Sequence, residues 1–178
     1  MRLITIQNYK VAEYLRHHSK FVVPDDVHWS DNLIAPYKFM MKHYNYDHRP
    51  IFYGAVGHNA NLGGAKTEDS VILELDVPDI YCKIQDYYNW SDFIYFTELP
   101  QDFEPWNGIE TVEQFGKWTL DLYKNGFTGR SNTCYQVTTC FMMKSWVKNI
   151  VKMTSEFDTM FIDNGGNKVL HSTLYGGN

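Results

Sequence analysis

The chain is poor in the residues that announce a particular chemistry. Its three cysteines, Cys82, Cys134 and Cys140, form no CxxC pair. That excludes a disulfide framework and leaves reduced thiols that pack as small hydrophobes in a cytosol. No apolar run approaches the roughly 18–20 residues that cross a bilayer, and no signal-peptide core opens the sequence, so a cytoplasmic protein is expected. The seven histidines show no ligand spacing. His17 and His18 diverge by about 100° on a helix, and no HxxxH or cysteine pattern accompanies His43 and His48, so no metal site is expected. There is no GxSxG nucleophile elbow. The basic residues do not cluster with aromatics as they do on nucleic-acid surfaces, which argues against direct DNA or RNA binding. Gly63 to Thr67 imitates a phosphate-binding loop, but Ala65 and Ala60 stand where that pattern requires glycine. A strand follows where a helix should begin, and the segment reads as a hairpin connection.

What is abundant is aromatic and acidic. Aromatics make up 16% of the 178 residues, apolar residues 44% and charged residues 21%, the composition of one ordinary globular domain spanning 1–178. Lys, Asn and Tyr usage is that of an AT-rich genome. The formal charge of −5 is unevenly spread: residues 68–121 carry thirteen acids against Lys83 and Lys117, a net of −11, and the rest of the chain is +6. Such segregation can steer a basic partner. The plainer alternative is that these acids decorate solvated faces and are neutralised in space by the basic remainder.

The periodicities predict an α+β fold, with a mixed or antiparallel sheet and about three helices. Residues 2–7 read as a strand with Leu3 and Thr5 on one face and Ile4 and Ile6 on the other. Asn8 caps a helix over about 9–18. A second helix covers about 31–44 with Pro36 in its early turns. Extended chain runs from Ile51 to Val56, and the clearest strand from Ser70 to Pro78 alternates Val71, Leu73, Leu75 and Val77 against Ile72, Glu74 and Asp76. Glu74 and Asp76 stand roughly 7 Å apart on one face, a spacing that fits acid/base work or a divalent ion and equally a half-solvated strand. Residues 79–97 hold a short helix or two. A third helix over about 111–124 opens with the capping box Thr111–Gln114 and closes at Asn125-Gly126. Cys134 to Met143 alternates as a strand, Trp146 to Met153 continues as strand or curl, and residues 159–163 and 168–174 read as a hairpin.

Two places set acids beside large aromatics with no periodicity to account for it: Asp86, Tyr87, Tyr88, Trp90 and Asp92, then Asp102, Glu104 and Trp106. Exposed, they form a face on which acids steer and aromatics anchor a basic protein surface. Buried, the same aromatics are core. The expected function is binding of a protein partner, with no cofactor and no membrane. One version is a phage or mobile-element inhibitor that occupies the nucleic-acid channel of a host enzyme, as some anti-CRISPR proteins do.

Thr5-Ile6-Gln7, Pro50-Ile51-Phe52-Tyr53 and Leu73-Glu74-Leu75-Asp76-Val77-Pro78-Asp79, followed by the aromatic-acidic stretch and by Gln136 to Phe141 with Trp146-Val147, resemble a family of bacterial and phage proteins of unknown function. Its strand order is loosely similar to a small ADP-ribosyltransferase. That resemblance implies an NAD pocket at Arg2 or Gln7, Tyr53 and Gln136. The acid that such enzymes carry in the late strand is missing from 134–143, so the alternative to a binding protein is a degenerate, NAD-binding form.

Overall fold

The computed structural model describes residues 1–27, 30–60, 69–98 and 108–152. Among them lie four α-helices and eight strands, an α+β fold in which a six-stranded antiparallel sheet is accompanied by a two-stranded one. The chain enters along β1 (Arg2–Asn8) and turns directly into α1 (Tyr9–His17), where the Asn8 side chain accepts from the Lys10 N–H as the expected N-cap. β2 is the short Lys20–Phe21, inside what reads from sequence as a connector. α2 spans Asp31–Tyr44, the predicted bounds, with Pro36 buried in it, and ends at Asn45 in the left-handed conformation (φ 55°).

β3 (Ile51–Ala55) and β4 (Ser70–Asp76) follow, and β1 lies between them. Its register with β4 runs unbroken from Arg2↔Asp76 to Asn8↔Ser70. A short 3₁₀ turn, Asp79–Tyr81, leads into β5 (Lys83–Asp86) and without pause into α3 (Tyr87–Glu98). α4 (Val112–Asp121) begins at Thr111 with both halves of the expected capping box in place. The sequence-predicted strand over 134–143 divides at Cys140. β6 (Tyr135–Thr139) joins the large sheet beside β3 and β5, and β7 (Met142–Met143) pairs instead with β2. β8 (Val147–Lys152) closes the sheet, whose order is β5-β6-β3-β1-β4-β8.

Side-chain alternation sends each strand's two faces into two different cores. On one face Leu3, Tyr53, Leu73, Leu75 and Val137 pack with Ala12 and Leu15 of α1 and with Met142 and Trp146. On the other, Phe52 meets a cluster of Met40, Trp90, Phe93, Phe115 and Leu120 drawn from α2, α3 and α4. Both faces are therefore covered. This is why Gln85, Gln136 and Thr138, polar by sequence, are buried. They satisfy one another and their surroundings: Gln85 donates to Gln136 Oε1 at 3.0 Å, Tyr44 donates to Gln85 Oε1 at 3.3 Å, and Tyr46 donates to the Thr138 carbonyl at 3.0 Å. The fourth helix beside the about three expected, α3, falls in the 79–97 stretch where a short helix or two is expected. The phosphate-loop-like Gly63 to Thr67 and the expected C-terminal hairpin lie outside the described residues.

Candidate functional site

The sequence directs attention to Asp86–Asp92, and the structure sorts those residues into two classes. Asp86 is buried at the start of α3, and its Oδ1 accepts from the N–H groups of Tyr88 at 2.9 Å and Asn89 at 3.0 Å. It is the helix N-cap, two orphan donors satisfied by one carboxylate. Trp90 is 2% exposed, with its ring against Tyr37 and Phe93. These two expectations of an exposed face are corrected. α3 must bury one side against α2 and α4, and Trp90 falls on that side with Phe93, three residues on.

What stays outside is a row at helical spacing. Tyr88 is 60% exposed, Tyr95 58% exposed, and the exposed Asp92 stands between them. Positions i, i+4 and i+7 lie on one helix face, so the two phenol rings flank the carboxylate. Tyr87 is half-buried, its ring edge-to-face with Tyr88 at 5.6 Å. Asp102, Glu104 and Trp106 lie outside the described residues.

Several other described acids of the stretch have structural partners. Glu74 is buried and takes Arg2 Nη2 at 3.2 Å. Asp76 and Asp79 face the N-terminal ammonium at 3.7 and 2.9 Å. Glu113 pairs with Lys117 along α4 at 3.2 Å. Glu74 and Asp76 thus have separate partners and do not form a joint carboxylate site. Among the described acids of the stretch, Asp92 is the one that stands exposed between exposed aromatics.

The four residues that the enzyme resemblance points to are not brought together. Gln7 and Tyr53 belong to the sheet face that packs on α1, and Arg2 and Gln136 to the opposite face. Tyr53 is fully buried, its hydroxyl 3.0 Å from Thr139 Oγ1. Gln7 donates to Thr5 Oγ1 at 2.8 Å, and Gln136 is held by Gln85. Each has a structural partner, Arg2 in Glu74 and the others as given above. No family model, curated protein or solved structure matches the chain. The function must therefore be argued from geometry.

No group of three or more metal-ligating side chains converges among the described residues. No helix among them is long and apolar enough to cross a membrane. Burial pushes the Cys82 thiol up to about 11, away from the thiolate that a nucleophile needs. One constellation escapes the sequence reading altogether. His43 Nε2, at the end of α2, donates to Asp121 Oδ1, at the end of α4, at 2.8 Å. Asp121 Oδ2 lies 3.1 Å from Lys124 Nζ. The partners are 78 residues apart in the chain, and no local spacing signals them.

Proposed function

We propose that the protein acts by binding another protein through the outer face of α3, and that the partner presents a basic surface of the kind that lines a nucleic-acid channel. The observation that carries this reading is the row Tyr88–Asp92–Tyr95. Large exposed rings with two rotatable bonds are the side chains that anchor interfaces at low entropic cost. The carboxylate between them, on a chain of formal charge −5, favours a cationic counterpart. The helix itself is rigid where it matters, since Trp90 and Phe93 lock its inner side, so little ordering is required on binding. An inhibitor from a phage or mobile element that occupies the nucleic-acid channel of a host enzyme, in the manner of anti-CRISPR proteins, is the version this chemistry supports best.

The test compares the wild type with Y88A/Y95A and D92K, each first shown to melt as the wild type does. Partners captured from a bacterial lysate are purified and their binding measured at rising salt. The tyrosine pair is expected to weaken binding at least 30-fold, roughly 2 kcal/mol, and D92K to remove the salt dependence. A partner held equally by all three proteins would place the interface elsewhere. Salt-insensitive binding would overturn the basic partner. The inhibitor version is checked by DNA cleavage with RNA-guided nucleases, which the wild type should slow and the tyrosine variant should not.

A further inference from the structure

α1 is nine residues long and packs across β1 and β4, so its cover stops short of β8, the strand that ends the sheet. The consequence shows at one cross-strand pair. Leu73 of β4 is fully buried, whereas Ile150, opposite it on β8, is 36% exposed. A groove lies there, lined by Leu15, Leu73, Val147 and Ile150 together with two exposed cations, Arg16 and Lys144. Its volume of about 200 Å³ is below the roughly 300–1,000 Å³ of ligand pockets, which suits protein side chains better than a small molecule. The groove opens on the α1 side of the sheet, across from the α3 row.

The groove's charge is positive. Glu13 already serves Arg16 at 2.7 Å and His17 at 3.3 Å. Lys144 donates to the Arg16 carbonyl at 2.6 Å, and neither it nor the exposed Lys148 of β8 has an ion-pair partner among the described residues. Pairing of β8 with a second copy would crowd the Lys144 and Lys148 ammonium groups of two chains, which disfavours that occupant. An acidic, aromatic segment is what the groove fits, and the chain itself supplies one. It runs on beyond β8 from Lys152, two residues past Ile150, and residues 156–163 carry Glu156, Asp158 and Asp163 with no base. Phe157 and Phe161 fall on one face of an extended chain. Loops of about three to five residues close hairpins, so residues 153–155 are enough for the chain to turn back along β8.

We infer that residues 156–163 dock on β8 as an added strand and cover this groove. The rings of Phe157 and Phe161 fill it over Leu15 and Ile150, and the carboxylates meet Lys144 and Lys148. The free edge of the sheet is thereby protected from pairing with other chains.

The experiment keeps the full chain. With Ile, Leu and Val methyls labelled, NOEs should connect the Ile150 and Leu15 methyls to ring protons of Phe157 and Phe161, and F157A/F161A should abolish them. A mixture of labelled and unlabelled copies should show none of these NOEs between chains. Chymotrypsin cleavage after Phe157 and Phe161 should be about tenfold faster in I150D than in the wild type. It should also be faster in the surface variant K144E and unchanged in K38E, on α2 across the sheet, each variant keeping the wild-type far-UV dichroism. The inference is overturned if no methyl–ring NOE appears in the groove, or if the NOEs arise only between chains, which would make a second copy the occupant. Equal cleavage of wild type and I150D overturns it as well, and equal cleavage of wild type and K144E overturns its ionic half.

Discussion

Gly116 lets α4 lie against rings from both α2 and α3. A Cβ at this position would stand 2.6 Å from Phe39 Cε1 and 2.7 Å from Phe93 Cζ, closer than real Cβ contacts come. Phe93 is fully buried and wedged among Phe39, Trp90 and Phe115, so its ring has nowhere to retreat. Two effects of a Gly116→Ala change then oppose each other. Alanine favours the helix by roughly 1 kcal/mol, whereas overpacking a closed aromatic core costs about 1–3 kcal/mol. Packing is expected to win. G116A should lower the unfolding free energy by on the order of 1 kcal/mol, read from urea denaturation, with the exposed neighbour Lys117→Ala close to neutral. A gain in stability on G116A would mean that the three helices are loosely apposed. Asp86 and Trp90 teach the related lesson for the candidate face. A cap and a core anchor look identical, in sequence, to an acid and an aromatic on a surface, because what separates them is the side of α3 on which each falls.

At the scale of elements, what was legible depended on whether the signal was local. α2 and the capping box of α4 could be read because helix period and cap chemistry lie within a few consecutive residues. β5 could not: four residues between a 3₁₀ turn and a helix carry no pattern, and only pairing with β6, some fifty residues on, makes them a strand. β6 was legible as a strand from its alternation, but the burial of its polar Gln136 and Thr138 was not, because it depends on cover from elsewhere in the chain. The His43–Asp121 bond between α2 and α4 was beyond reach for the same non-local reason. It has a measurable signature. Burial pushes the Asp121 carboxyl up, but hydrogen bonds and charge from Lys124 and His43 outweigh this and hold it below the usual carboxylate range. A carboxyl depressed in the folded state stabilises above its unfolded value of about 3.9 and loses that contribution as pH falls through the folded one. The gap in urea midpoint between wild type and D121N should therefore close as pH falls below about 4. A gap that persists unchanged in acid would show that the carboxylate contributes by packing alone.

Over the whole molecule, one sheet serves two cores, and neither can lose it and stand. Leu73 packs into the α1 side and its neighbour Ile72 points to the opposite face, both fully buried. β3 does the same with Tyr53 and Phe52. Unfolding of the three helices would strip the sheet of one apolar face and expose Gln85, Gln136 and Thr138, whose partners lie partly on α2 and the turn that follows it. Loss of α1 would uncover the other face. The two sides should therefore melt together as one two-state unit, and the native tryptophans are placed to report it. Trp90, 2% exposed, sits in the helical core, and Trp146, 7% exposed, in the core on the far side of the sheet. Variants retaining only one or the other tryptophan, each compared with its own far-UV dichroism, should show fluorescence transitions that coincide with loss of helix. Should Trp90 report an earlier midpoint than Trp146 within these matched comparisons, the helical side would be a separate unit, and α3 would be a docking element able to rearrange on its partner. Coincident transitions instead require α3 to meet its partner as a rigid body, with Tyr88 and Tyr95 already set in place before contact.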